Sequence, residues 1–473
     1  MKRVLIIGNS PLPEENTSSR PAAGLRTNQF LTPLLKKGGM VVRDKEHAFS
    51  AETRPQFKVQ LVTIAMPECY DQKIEPKEIV KGEHFSHFLV SKDDRSLKGS
   101  IQKIHDEFQP EVIIGVNTYP SYIASGLDSL APLWADLNGW IIAEAQAQAS
   151  KSESNDYLGH YHKIEQQIIK RADKFSTVSM AQKFALIGEL ADAGRMNKET
   201  FTYEFAHEIP NGTVFFEDEK EILEGGEVKK LRNVPEDAFV LLWMGGYNTW
   251  VDERTLFKGV EDAMKKCDRL YFVSTGGGIK GLDNKTFASF KKMIEESEFK
   301  ERFVFLGWVE TKAIPYIYKR ANAGLNVDRM CVETMTGARN RINEMMKFEV
   351  PVITTLGSEI SYEAERVNAG IGVPSGRPEL LNEAICRMYN LWLADKKILK
   401  GHGRHGREYI KKECNYDKIQ RPLMKWLENP RPAPDQGVDV KFGSSALIKS
   451  GIGYFRKNGL RAFLKKLWQS FGR

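Results

Sequence analysis

Two glutamates, Glu333 and Glu344, bracket Arg339, Asn340 and Arg341 within the stretch ETMTGARNRINEMMKFEVPVITT, and these residue types at this spacing could hold an anionic ligand. Thr336 and Gly337 are expected to open a helix whose first turns carry the two arginines. Its inner face would be Ile342, Met345, Met346 and Phe348. The following PVITT is short, β-branched and uncharged, the pattern of a parallel strand buried on both faces. A helix N-terminus at the carboxyl edge of such a sheet, with arginines beside it, makes an anion site. Two positions apart, Arg339 and Arg341 cannot face the same way on a regular helix, so at most one would be a direct ligand.

Glycines are needed wherever backbone must approach a phosphate or a sugar. Gly8, Gly245, Gly246, Gly276, Gly277 and Gly278 all follow strand-like runs, which puts them at carboxyl ends facing a cleft. A dinucleotide cofactor is the competing explanation. IIGNSPLP lacks the GxGxxG spacing, however, and STGGGIKG lacks the acidic residue that ends a following strand. Arg20, Gly24 and Arg26, in the loop after the first strand, could meet an anionic acceptor.

The elements that position these residues alternate in the manner of a parallel α/β protein. RVLIIG, VQLVTIA, EVIIGV and PLWADL read as strands of a first unit, and FVLLWMGG, RLYFVSTGGG, RFVFLGW, AGLNVD, PVITT and GIGV as strands of a second. At 473 residues the chain is too long for one ordinary core, so two domains of roughly 200 residues are expected. The expected division is a Rossmann-like domain over 1–208, a second over 209–385, helices over 386–430 packing back towards the first domain, and a linker and tail over 431–473. Within the helical region GHGRHG reads as a break and RPAPDQG as a linker.

The formal charge of +7 would suggest nucleic acid, but residues 440–473 alone carry eight Lys and Arg and no acid, leaving about −1 for the rest. No nucleic-acid partner is expected. From Leu460 the tail reads LRAFLKKLWQSF. Leu460, Phe463, Leu464, Leu467, Trp468 and Phe471 fall on one helical stripe, with Arg461, Lys465 and Lys466 off it. That pattern suits an amphipathic helix lying on an anionic membrane surface, or a helix docked on protein. The sequence has no apolar run of ~18 residues, and its short N-terminal apolar run is not a signal peptide. The five cysteines are scattered without metal-type spacing, which fits a cytoplasmic protein without structural zinc.

In their order and spacing, the early GNSPLP loop, the HEIPNG junction, LLWMGGYNTWVDERTLFKG, RFVFLGWVETKAIPYIYKRANAGLNVD and ETMTGARNRINEMMKFEVPVITT resemble a GT-B glycosyltransferase of the family-four type. The resemblance covers roughly residues 1–428. It implies two Rossmann-like domains facing across a cleft and transfer of a sugar from a nucleotide diphosphate sugar, with retention at the anomeric carbon. It also implies that Glu344 binds the donor ribose and that Gly307 and Trp308 meet its base.

The pattern departs from the family in three places. The family's first glutamate precedes the second by eight positions, and Thr336 stands there. Either Glu333 takes over, binding sugar hydroxyls or stabilising positive charge at the anomeric carbon, or Thr336 and Gly337 present backbone amides to the diphosphate. Many relatives carry a lysine beyond the Gly–Gly loop; Asp252 and Glu253 replace it, and Arg339 or Arg341 would supply the charge. Relatives often end the PLWADL strand with histidine, and Asp136 stands here as a positioning group or general base. With no Asp-x-Asp pair at a strand end, no metal is expected. The tail implies a lipid-linked or polysaccharide acceptor at the cytoplasmic face of a membrane, as in bacterial surface-glycan assembly. Other readings are a nucleotide-sugar epimerase or hydrolase, or a non-catalytic glycan-assembly subunit.

Overall fold

A computed structural model describes residues 1–13, 15, 22–37, 40–43, 46–49, 56–66, 69–70, 74–213, 215, 228, 231, 233–279, 283–438, 440, 452 and 454–465. Its strands are β1 (Lys2–Ser10), β2 (Met40–Arg43), β3 (Glu46–Phe49), β4 (Phe57–Ala65), β5 (Lys77–Val80), β6 (Phe85–Ser91), β7 (Val112–Val116), β8 (Leu133–Leu137), β9 (Lys174–Thr177), β10 (Ala206–Glu208), β11 (Phe239–Trp243), β12 (Leu270–Thr275), β13 (Phe303–Gly307), β14 (Ala323–Asn326), β15 (Val352–Thr355) and β16 (Gly370–Val373).

Apart from the β2–β3 hairpin, the strands form two sheets, each built from one half of the chain. The first has the order β10-β9-β8-β7-β1-β4-β6-β5 and is parallel except where β5 runs against β6. The second, β13-β12-β11-β14-β15-β16, is parallel throughout. Helices cover both faces of each sheet, so central strands read as unbroken apolar runs: Val4, Leu5, Ile6 and Ile7 of β1 are wholly buried, as are Val352 and Ile353 of β15. In each sheet the strand order reverses beside a central strand, at β1/β7 and at β11/β14. Ligands of such sheets bind outside the carboxyl ends at those points.

The C-terminal helices serve both units. Pro378–Ala394 lies along Glu253–Met264 of the second, whereas Leu423 and Leu427 complete the core beside Val4, Ile6 and Phe30 of the first. GHGRHG is no break: it lies inside the continuous helix Lys396–Glu413. A Cβ on Gly403 would stand 1.9 Å from the Glu349 carbonyl oxygen, so this glycine permits close helix packing. RPAPDQG is no free linker either, because Ala433 is buried and Asp435 pairs with Arg195 at 2.8 and 2.9 Å. In the tail, residues 454–465 are helical and expose Phe455, Leu460 and Leu464. Lys466, Leu467 and Trp468 lie outside the described residues, as does Arg20.

Candidate active site

The glycine loops interlock at the carboxyl edge of the second sheet. Gly245 follows β11 with φ +95°, Gly276 follows β12 with φ +71°, and Gly307 ends β13 with φ +75°. These are left-handed conformations that side chains disfavour. A Cβ on Gly276 would also lie 2.4 Å from the Gly245 carbonyl oxygen. The Gly245 amide donates to Thr275 Oγ1 and the Gly276 amide to the Gly307 carbonyl, while the amides of Gly246 and Gly277 have no partner among the described residues. Trp308 is 49% exposed at the rim, open to a ligand and not part of the core.

The glutamate–arginine segment folds differently from the sequence expectation. Val332–Thr336 is one short helix, which Gly337 ends, and Asn340–Lys347 is a second. The Gly337 amide is spent on the Glu333 carbonyl, and the Thr336 carbonyl accepts from Ser179 Oγ of the first half at 2.6 Å. Neither residue therefore offers a free helix N-terminus to a diphosphate.

The two arginines have separate fates. Arg339 is buried between Asp328 and Glu333, donating Nε to Asp328 and Nη1 and Nη2 to Glu333 at 3.1 and 2.7 Å. Burial pulls its pKa down, but the charges of Glu333 and Asp328 outweigh that and push it further up. Burial likewise raises the Glu333 carboxyl, with Arg339 opposing it. The expectation of Arg339 as a phosphate ligand is thereby corrected: its donors are already committed to carboxylates.

Arg341 differs. Its guanidinium stacks 3.9 Å from the Trp243 ring centroid and donates Nη2 to the Gly246 carbonyl at 2.8 Å, while the buried Nη1 has no partner. No carboxylate pairs with it among the described residues. Burial lowers its pKa to about 10, which leaves it cationic at neutral pH. Asn340 and Arg341 form the first turn of their helix, and no side chain caps it. Glu344, half-buried on the same helix, accepts from Thr213 Oγ1 of the junction at 3.5 Å.

Asp252 and Glu253, the acids standing where relatives carry lysine, have structural work. Asp252 caps the helix Glu253–Met264 by accepting from the Thr255 amide. Glu253 pairs with Arg329 and, across to the first half, with Lys151 at 3.4 Å.

On the first half, Asp136 is wholly buried. It accepts from Arg26 Nε and Nη2 at 3.0 and 2.7 Å and from Ser176 Oγ at 2.7 Å. Arg26 spends its other donors on the Ile209 and Pro210 carbonyls and Asn211. Each satisfies the other, so the expected base and acceptor ligand are instead a clamp between the helix Ala22–Lys37, β8 and the junction. Gly8 and Gly24 are packing glycines: added Cβ atoms would meet Thr27 at 2.4 Å and the Pro11 carbonyl oxygen at 1.7 Å.

Another carboxylate, half-buried, lies next to the Glu333–Arg339 pair. Glu144, in the first turn of the helix Ile141–Ser152, follows the Asn138–Gly139 turn after β8, where Gly139 has φ +98°. This helix packs against Val332–Thr336 of the second half. Glu144 has no hydrogen-bond partner among the described residues. Burial, then the Glu333 charge, raises its pKa to about 8, against the opposing effect of Arg339. Beside it opens a cleft of about 550 Å³ between the halves, with Lys151, Tyr157 and Tyr161 on one wall and Thr249, Asn284 and Lys285 on the other. Glu144 carried no signal in the sequence beyond its place after a strand-end Asn-Gly.

Residues 238–390 match the family described as glycosyl transferases group 1. That stretch is a glycosyl transferases group 1 domain. Sucrose-phosphate synthase from Thermosynechococcus elongatus is 15% identical, with a TM-score of 0.65 over 90% of this chain and 98% of its own. The Anabaena protein HepE, in complex with UDP-glucose, is 12% identical, with a TM-score of 0.59 over 90% and 100%. A trehalose-6-phosphate structure from E. coli, bound with UDP-2-fluoro glucose, is 11% identical, with a TM-score of 0.60 over 91% and 100%. At these identities the likeness shows the fold, which is GT-B. No curated protein matches the chain. Within this fold, Arg341 and Glu344 lie in the matched region and Glu144 on the opposite half.

Proposed function

We propose that the protein transfers a sugar, with retention at the anomeric carbon, from a nucleotide diphosphate sugar to a lipid-linked or polysaccharide acceptor at the inner face of a membrane. The observation that carries the donor reading is Arg341. A half-buried cation whose buried Nη1 has no partner, set beside Gly246 and hydrogen-bonded to no carboxylate among the described residues, suits a diphosphate. Departure of the nucleotide places a second negative charge on that diphosphate, which Arg341 and the free amides of the glycine loops stabilise. A divalent ion is then unnecessary. Glu344 accepts from the ribose hydroxyls, and Trp308 flanks the base.

On the acceptor side, Glu144 takes the role the sequence suggested for Asp136. A carboxylate without a hydrogen-bond partner among the described residues, close enough to Glu333 and Arg339 to feel their charges, can accept the proton of an acceptor hydroxyl. The exposed apolar residues and cations of the tail helix support membrane contact, which brings the enzyme to a lipid-linked acceptor.

The test is titration with nucleoside diphosphates and nucleotide sugars, beginning with the uridine compounds that the similar structures hold, followed by incubation with and without lipid-linked acceptor. Acceptor-dependent nucleotide release supports transfer. Acceptor-free epimer or hydrolysis product identifies a donor-processing enzyme instead, and failure to bind any nucleotide sugar sinks the reading.

A further inference from the structure

Away from the cleft, two thiols of the second half face each other. Cys267 follows the helix Glu253–Met264 and is buried; Cys386 lies on the helix Pro378–Ala394, and the two sulfurs are 3.6 Å apart. They come from positions 119 residues apart, joined only by the packing of those helices. Cys386 is half-buried and lines a surface cavity of about 520 Å³ with Lys266, Glu383 and Arg387. One thiol is thus reachable from solvent and the other stands directly behind it. We propose that Cys386 is an oxidation site for hydroperoxides and that Cys267 is its resolving thiol, the product being a Cys267–Cys386 disulfide.

The chemistry follows from the geometry. The Cys267 S–H donates to Cys386 Sγ, and this hydrogen bond, with Lys266 nearby, holds the Cys386 thiol below its ordinary pKa, although burial opposes the shift. When protonated, Cys386 donates to Asn382 Oδ1 at 3.3 Å. The thiolate is the nucleophile in thiol oxidation, and an accessible one beside a second thiol is the usual arrangement for reversible oxidation. The Cys386 thiolate attacks one oxygen of the peroxide, forming an S–O bond, breaking the O–O bond and releasing hydroxide. Cys267 sulfur then attacks Cys386 sulfur, the S–S bond forms as the S–O bond breaks, and the departing hydroxide takes the Cys267 proton and leaves as water. Overall two thiols and one hydrogen peroxide give a disulfide and two waters; an organic hydroperoxide would leave one alcohol and one water. The sulfurs must close from 3.6 Å to about 2.05 Å for the bond to form.

The test treats the full-length protein with hydrogen peroxide at neutral pH, blocks remaining thiols under denaturing conditions and maps peptides by mass spectrometry. The expected result is a Cys267–Cys386 linked peptide, reversed by dithiothreitol, appearing before oxidation of Cys331, which is also partly exposed. In Cys267→Ser, residue 386 should instead give a sulfenic-acid adduct with dimedone, and in Cys386→Ser, Cys267 should stay reduced. Oxidation of Cys331 ahead of Cys386, or sulfenic acid at Cys386 in the unmodified protein with no linked peptide, would overturn the proposal. The unmodified protein decides the matter even if a variant folds poorly.

Discussion

Arg26 closes on both oxygens of Asp136 at 3.0 and 2.7 Å inside the first half, and no part of the Asp136 carboxylate reaches solvent. Removing one member of such a pair leaves an uncompensated buried charge, at a cost of about 3–5 kcal/mol. Asp136→Ala and Arg26→Ala are therefore each expected to lower the unfolding free energy by that order, measured by urea denaturation. The double variant should lose less than the sum. If Asp136→Ala kept its stability but lost turnover, the clamp assignment would be wrong and the sequence-based role as a base would return.

The neighbouring arginines of the donor domain should respond in opposite ways. Arg341→Met keeps much of the volume over Trp243 but removes the charge, and should weaken nucleoside diphosphate binding by about 1.5–3 kcal/mol with little change in melting temperature. Arg339→Met strands Asp328 and Glu333 as buried, unpaired carboxylates, so its first effect should be on stability. Calorimetric titration beside thermal unfolding separates the two. Equal affinity losses without a stability difference would contradict the assignment.

Glu344→Ala should weaken donor binding by about 1–3 kcal/mol through loss of ribose hydrogen bonds. The loss should vanish when the ligand is the corresponding 2′,3′-dideoxynucleotide, which has no diol to lose. A variant that binds both ligands as the unmodified protein does removes Glu344 from the site.

The strands could be read from the sequence because buried parallel strands are continuous apolar runs, and RVLIIG, EVIIGV and PVITT have no other plausible fate. Strand β6, FSHFLVS, is less legible because Ser86 and His87 interrupt its apolar run. Which arginine faced the site could not be read. Arg339 and Arg341 are two positions apart in one charged segment, and their difference comes from Asp328, eleven residues before Arg339, and from Gly337 ending a helix the sequence suggested it would begin. Asp136 misled for a similar reason: a carboxylate at a strand end reads as open to the cleft until Arg26, 110 positions away, is seen to cover it. GHGRHG reads as a break because the value of Gly403 and Gly406 lies in contact with the Glu349 backbone and the Met346 side chain, far away in sequence.

Glu144 gives the protein a pH dependence of predictable sign. Burial, then Glu333, raises its carboxyl to about 8, and burial, then Glu359, raises Glu208 to about 7. A carboxyl raised in the folded state binds its proton more tightly there than in the unfolded chain. The stability it contributes is full below the ordinary value of 4.5 and is lost as pH rises through the folded value. Unfolding free energy should therefore fall between about pH 5 and 8.5, and Glu144→Gln should flatten the upper part of that fall. If Glu144 takes the acceptor proton, kcat should climb through about pH 8 in the unmodified enzyme, and Glu144→Gln should lack that limb. A variant with the same rising limb would leave Glu144 without a part in transfer.

Residues 440–473 carry eight basic residues and no acid, whereas the described core clusters contain no residue beyond Ala433. Removing the segment should therefore leave the melting temperature nearly unchanged. It should also abolish sedimentation with vesicles containing phosphatidylserine, since each basic residue near an anionic surface contributes about 1 kcal/mol. Two further controls distinguish a lipid surface from simple stickiness. Binding of the full chain should fall steeply as salt is raised, because exposed charges are screened beyond about 8–10 Å near physiological ionic strength. Replacing Leu460 and Leu464, both exposed on the tail helix, by serine should weaken the salt-resistant part of the binding. Vesicle binding that persists after truncation moves the membrane contact elsewhere on the protein, whereas loss of thermal stability on truncation makes the tail helix a docked element of the fold.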